Sequence, residues 1–186
     1  MSKIFTTGNA DLNTFVKECL ELKSRDHILE IGFGPGALIH DMAKTINDGK
    51  IEGIDFSETM LKKASSVNKA HITSGKVALH KGDCSSLPFE NNYFDKLCSV
   101  NTLYFWENPA ANLKEILRVV KPAGKVVIGF RDAEQMANFD ISKDIFSTYS
   151  KEQVVSLLSE AGFSNVVIKE KEGIPVTSYC AIATKP

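Results

Sequence analysis

Leu29-Glu30-Ile31-Gly32-Phe33-Gly34-Pro35-Gly36-Ala37 is the stretch whose reading decides the fold. A short apolar run from His27 to Ile31 leads into three glycines at alternate positions, and Leu38, Ile39, Met42, Ala43 and Ile46 follow at helical spacing. The pattern predicts a buried strand, a tight turn and an amphipathic helix, the opening unit of an α/β sheet. Glycine admits positive φ and lets a ligand approach where a Cβ would obstruct it, and the next helix N-terminus offers unpaired N–H donors. Glu30 brings negative charge to the strand's carboxyl end, the edge at which open α/β sheets bind ligands.

Gly32-x-Gly34-x-x-Ala37 also fits the dinucleotide fingerprint, and Asp55 stands about 20 residues on, where a ribose-binding acid is expected. Two residues favour another ligand. A carboxylate beside the first glycine repels a pyrophosphate but suits an ammonium group. Pro35 removes a backbone donor that a phosphate cradle needs. An amino-acid-bearing nucleoside is the better fit.

Outward from this unit the strands and helices alternate. Toward the N-terminus, Asn9 caps a helix carrying Leu12, Phe15, Val16, Cys19 and Leu20 on one face. Toward the C-terminus, Lys50 to Ile54 forms a second strand ending at Asp55. Ser57 then caps a helix with Met60, Leu61, Ala64 and Val67 inward. Lys76 to His80 is a third strand and Phe94 to Val100 a fourth. Asn108 and Pro109 start a helix bearing Leu113, Ile116, Leu117 and Val120, and Lys125 to Phe130 is a fifth strand. Ser150-Lys151-Glu152-Gln153 is a capping box for a helix stopped at Gly162. Asn165 to Lys169 and Ser178 to Thr184 follow without a helix between them and pair as an antiparallel hairpin. Alternation predicts a doubly wound, mostly parallel α/β sheet, made seven-stranded and mixed by the terminal pair.

One domain accounts for 186 residues. It divides into an N-terminal helical segment (1–26), a ligand-binding core (27–130), a segment available to cover an acceptor (131–149) and a C-terminal helix and strand pair (150–186). A formal net charge of -1 shows no nucleic-acid footprint. Lys169-Glu170-Lys171-Glu172 alternates in sign, as a solvated strand face does. Cys19, Cys84, Cys98 and Cys180 are widely spaced, so neither a metal site nor a disulfide framework is expected. The polar start, Met1 to Asn9, lacks a signal peptide's apolar core, and no apolar run nears the roughly 18 residues of a membrane span. A reduced, cytoplasmic protein is expected.

Five motifs then stand in order: LEIGFGPG, GIDFSETML, GDCSSLPFENNYFD, VNTLYFW and LRVVKPAGKVVIGF. With them the chain resembles the class I S-adenosylmethionine-dependent methyltransferases of the small-molecule and quinone-biosynthesis type, with a Rossmann-like fold, from about Ile28 to Gly162. Ala123 stands where the family has the first glycine of a turn. The resemblance implies S-adenosyl-L-methionine as cofactor and S-adenosyl-L-homocysteine as product. It implies that Gly32, Phe33, Gly34 and Gly36 close around the methionine half. Glu30 would bind the amino group, directly or through water, and is equally suited to a helix dipole. Asp55 would accept from the ribose hydroxyls, and Phe56 and Met60 would line the adenine, Met60 serving as readily in the core. Asp83 would accept from the exocyclic amine, with Cys84 offering its backbone N–H. Asn101 would turn its carbonyl toward the ammonium.

On the acceptor side Tyr104 and Trp106 are expected to form an aromatic wall and Arg131 to contact substrate, while Phe105 reads as core. His80 reads as a strand residue, His40 and His71 as surface, so the sequence names no general base. A sulfonium methyl is already activated, and holding nucleophile, methyl and sulfur in line supplies much of the rate. The site is expected to be open or completed by a second subunit in a homodimer. The expected function is methyl transfer to a small molecule. A non-catalytic cofactor-binding or partner subunit is the alternative, and a nicotinamide dehydrogenase is disfavoured by Glu30, Pro35 and the terminal strand pair.

Overall fold

The computed structural model describes residues 3–137, 147–173 and 176–186, with side chains from residue 10 onward. Each apolar run expected to be a strand is one: β1 (His27–Ile31), β2 (Lys50–Asp55), β3 (Val77–Lys81), β4 (Phe94–Val100), β5 (Val120–Phe130), β6 (Ser164–Lys171) and β7 (Ser178–Thr184). They form one sheet in the order β3-β2-β1-β4-β5-β7-β6. β7 is antiparallel to both its neighbours and alone runs against the other six strands. The Rossmann-like, doubly wound sheet with an antiparallel end is therefore the fold of this chain. The terminal hairpin does not simply extend the sheet. β7 returns to pair with β5, Phe130 opposite Tyr179 and Lys125 opposite Thr184, which leaves β6 at the edge.

Helices cover both faces: α1 (Lys3–Leu20), α2 (Ala37–Ala43), α3 (Glu58–Val67), α4 (Lys69–Thr73), α5 (Pro109–Val119), α6 (Ala133–Met136) and α7 (Lys151–Glu160). Successive strand residues point to opposite faces. Ile28, Ile51 and Cys98 therefore meet Leu12, Leu38, Met42 and Ala64 from α1, α2 and α3. Leu29, Leu97 and Val126 face the other way, onto Leu113 and Ile116 of α5 and Val154 and Leu158 of α7. Burial on both faces explains why the central strands are continuous apolar runs without alternation. No described helix is long and apolar enough to cross a membrane.

Local chemistry sets the helix starts as expected. Ser57 accepts the N–H of Met60 at 3.3 Å, Asn108 accepts that of Ala111 at 3.1 Å ahead of Pro109, and Ser150 and Gln153 form the reciprocal box. Other expectations shift. α1 begins at Lys3, so Asn9 lies inside it and is not its cap; Thr6-Thr7-Gly8 carries no apolar periodicity that would announce a helix. Val67 is exposed, because α3 rests on the sheet along the narrow stripe around Ala64. Val120 is the first residue of β5, not the last turn of α5. His71 belongs to α4, and its ring lies 5.2 Å from that of half-buried His40.

Where the family has glycine, Ala123 takes φ 61 in the turn that opens the long arm of β5. A Cβ in the left-handed region costs about 1–2 kcal/mol. The side chain is exposed, so little packing is lost when it is removed. Ala123→Gly is expected to raise stability by about 1 kcal/mol and the thermal midpoint by roughly 2–4 °C, read by calorimetry.

Candidate functional site

The strand order reverses between β1 and β4, which opens a crevice beyond their carboxyl ends. The glycine-rich turn leaves β1 at this point. Gly32, Gly34 and Gly36 all have positive φ, of 70, 51 and 82°, but their surroundings differ. A Cβ on Gly32 would run into Thr102 Cγ2, the side chain that follows β4. One on Gly36 would lie 2.7 Å from both Ala64 Cβ and Asn68 Nδ2, so this glycine lets α3 pack against the loop. One on Gly34 would meet nothing within 4 Å. The first and third glycines thus seat the loop, and the middle one faces open space.

Two side chains hold the loop from outside it. Asp55, at the end of β2, accepts Gly34 N–H through Oδ2 and Ser57 N–H through Oδ1, both at 2.9 Å. Each carboxylate oxygen keeps a further lone pair for a ligand hydroxyl. Asn68, fully buried, donates to the carbonyls of Gly36 and Ala64 at 3.0 Å each. Asn68 was not legible in the sequence, since one amide beyond a helix's apolar stripe carries no pattern of its own. Phe56, next to Asp55, is 70% exposed and presents a free-standing aromatic face at the crevice, with Met60 half-buried one turn into α3. Across the opening Asp83 is exposed and accepts Ser85 N–H at 2.7 Å, while Gly82 N–H donates to Asp55 O at 3.1 Å and ties this loop to β2. Cys84 is turned inward and accepts from Asn112 Nδ2 at 2.7 Å; burial pushes its thiol up to about 12, leaving only its main chain for the crevice.

Glu30 and Phe33 lie elsewhere than expected. Alternation along β1 sends Glu30 to the same face as Ile28, beneath the loop, where it is buried. Ile39 N–H, in the first turn of α2, donates to its carboxylate, and Oε2 is buried without a hydrogen-bond partner. Burial, and then repulsion from Asp55, push the Glu30 carboxyl up to about 8. Its carboxyl thus lies beneath the loop and not on the open side of the crevice. The Phe33 ring is core, packed over Gly53, because the turn directs it back toward α2; its carbonyl accepts Gly36 N–H at 2.9 Å.

The acceptor side is rearranged most. Asn101 leaves β4 with φ 54, and its N–H donates to Gly129 O at 2.9 Å. A 3-10 turn over Leu103–Phe105 then rotates the aromatic triplet. Tyr104 is 1% exposed: its hydroxyl donates to Arg131 O at 3.3 Å and accepts Arg131 N–H, joining the ends of β4 and β5. Trp106 is buried in the same core, and Phe105, expected to be core, is 47% exposed. Of the three rings expected on this side, the one exposed to solvent is Phe105. With three residues per turn, successive side chains of the 3-10 turn diverge by about 120°, so the three rings do not share one face. Arg131 is buried too, its guanidinium donating to Thr177 O and Ser178 Oγ at 2.8 Å, so it fastens β5 to the start of β7. Asp132 accepts Glu134 N–H and Lys151 N–H at 3.0 Å each, anchoring α6 and α7. His80 is a strand residue whose Nε2 pairs with Glu52 at 2.8 Å. Of the segment 131–149 expected to cover the acceptor, residues 138–146 lie outside the described residues.

The family described as a methyltransferase domain matches residues 29–128. An uncharacterized methyltransferase of Bacillus subtilis, YdaC, is 33% identical over 98% of this chain and 96% of its own. Among solved structures, a SAM-dependent methyltransferase from Aquifex aeolicus superposes with a TM-score of 0.75 at 23% identity, over 95% of this chain and 90% of that one. The cyclase SpnF does so with a TM-score of 0.79 at 22% identity, over 95% and 81%. At such identities these two establish a shared fold.

Proposed function

Because the chain belongs to the class I S-adenosylmethionine-dependent methyltransferases, we propose that it binds S-adenosylmethionine in the β1–β4 crevice and methylates a small-molecule acceptor there. The observation that carries this reading is the open flank of Gly34, whose N–H is held by the Asp55 carboxylate, with the exposed Phe56 ring on the next residue after Asp55. A backbone without a Cβ lets the methionine portion lie against the loop. Asp55 accepts from the ribose hydroxyls with the lone pairs its two N–H bonds leave. Phe56 and Met60 flank the adenine, Asp83 accepts from its amine beside the Cys84 main chain, and the Asn101 carbonyl meets the ammonium.

The cofactor supplies a methyl group already activated on a sulfonium and given up by in-line displacement. The chain's own contribution is to hold donor and acceptor in register, which suits a site without an evident acid–base pair. Asn101, at positive φ with its N–H bonded to Gly129 O of β5, and the exposed Phe105 ring are the described residues placed to meet an acceptor on this reading.

A thermal-shift comparison tests the reading. S-adenosylhomocysteine at about 100 times its dissociation constant should stabilise the fold by about 2.7 kcal/mol. That is roughly a 5–10 °C rise for a domain of this size. NAD should give none. A shift with NAD alone would replace the proposal with a dehydrogenase.

A further inference from the structure

Glu30 is a buried carboxyl beside the crevice to which the proposed chemistry assigns no ligand contact. In register it lies between Gly53 of β2 and Cys98 of β4. The space over Gly53 on that face is filled by Ile39 Cδ1 and Phe33 Cδ1, which come within 2.6 and 2.7 Å of where a Cβ would stand. The carboxyl therefore occupies an apolar box walled by Phe33, Ile39 and the Cys98 thiol. It has one N–H donor, from Ile39, one oxygen with no partner, and no ion pair among the described residues. The Cys98 thiol itself is held neutral, raised well above its ordinary range by burial and by Glu30. The other titratable group facing Glu30 is Asp55, from β2. Cys180 of β7 and Cys19 of α1 lie beyond Cys98, and His40 and Asp41 of α2 are turned to His71 and Lys44.

An ionised carboxylate in such a box has neither water nor a cation, and a group so placed neutralises by keeping its proton. What changes on ligation is the charge beyond the loop. S-adenosylmethionine carries a sulfonium and an ammonium against one carboxylate, a net positive charge, and it would arrive where Asp55 now repels Glu30 unopposed. We propose that Glu30 holds a proton in the empty protein and releases it when the cofactor's positive charge enters the crevice, so that cofactor binding is coupled to pH. This rests on the crevice being the S-adenosylmethionine site. The O–H bond of the carboxyl breaks, its electron pair stays on Glu30 and the proton passes to buffer. No covalent bond to the cofactor forms.

The sign follows from linkage. With its carboxyl pushed up to about 8, Glu30 is roughly nine-tenths protonated at pH 7 in the empty protein and ionised in the complex. Binding then releases close to one proton near pH 7 and none well above pH 8. Affinity rises by up to about tenfold per pH unit between pH 6.5 and 7.5 and levels off beyond 8. The ligand's own amino group, with a pKa of about 7.7–8.0, loses its charge above that range in any variant, so the comparison is with Glu30→Gln. Glutamine keeps an acceptor for Ile39 N–H and is neutral at every pH.

Calorimetric titration of S-adenosylmethionine into the whole chain, at pH 7 in buffers of different ionisation enthalpy, counts the protons. Wild type is expected to show net release of most of a proton, and Glu30→Gln only the small uptake that charges the ligand's amine. In wild type the infrared signal of a protonated carboxyl should also disappear on binding, a readout that stands even if the variant folds poorly. Tight binding with no proton release and no carboxyl signal overturns the proton coupling and leaves the site assignment intact. Failure of S-adenosylmethionine to bind at any pH overturns the site assignment itself.

Discussion

Gly34→Ala is expected to leave the fold standing and to weaken S-adenosylhomocysteine binding by roughly 10- to 100-fold, whereas Gly32→Ala is expected to damage the fold itself. A methyl group on Gly34 projects into open space, so the substitution costs only about 1–2 kcal/mol for a side chain at φ 51. In the complex the same methyl would occupy the space proposed for the ligand. Overpacking of about 1–3 kcal/mol converts to that loss of affinity. At Gly32 the collision is internal. Thr102 Cγ2 fills the position, and Thr102 is not free to turn because its hydroxyl is paired with that of Ser99. Strain and overpacking together come to roughly 2–5 kcal/mol. Denaturant unfolding and calorimetric titration of the two variants separate the effects. If Gly34→Ala binds as tightly as wild type, the open flank of the loop is not where the cofactor lies.

The second large effect is expected at Asp55. Its alanine variant loses two ligand bonds on the proposed reading, each worth about 1.5–3 kcal/mol to a charged acceptor. A loss of affinity on the order of 100-fold or more follows. It also leaves the N–H groups of Gly34 and Ser57 without their carboxylate, so about 1–3 kcal/mol of stability should go with it. Loosening of the loop could mimic a lost ribose contact, and a cofactor analogue without ribose hydroxyls separates the two. Wild type should bind the analogue far more weakly than the parent, and Asp55→Ala should bind both alike. Discrimination surviving in Asp55→Ala would assign the ribose to another residue.

The strands and most helix starts were legible because each rests on a local cause. Apolar runs, the Ser57 and Asn108 caps and the Ser150 box are all contained within a few residues of chain. The order in the sheet was less so: that β7 would lie inside β6 depends on pairing with β5 far back in the chain, Phe130 with Tyr179 and Lys125 with Thr184, which a run of alternating side chains does not encode. At the crevice, backbone roles were readable from glycine spacing, and Asp55 from its place at a strand end. Side-chain direction was not. The triplet Tyr104-Phe105-Trp106 turns on a single 3-10 turn that inverts which ring meets water. Arg131 looks like a rim charge until the loop before β7 folds against it and takes its donors. Glu30 sits under the loop because β1 places it two residues from Ile28, and nothing local says which face will be sealed.

The strand β7 is synthesised after β6 yet lies between it and β5. On the ribosome, β6 emerges with neither edge offered a partner, and it must wait as an unpaired, charge-studded ribbon until the later strand arrives to bridge it. Chain growth runs from the N-terminus and contacts distant in sequence form slowly. All the strands of the half-sheet from β3 to β4 precede β5 to β7 in the chain, so the far flank is the last to have all its strands made. The alternating Lys169-Glu170-Lys171 run is then less an ornament of the finished surface than a safeguard for the interval before closure, when a bare strand invites pairing with a neighbouring nascent chain.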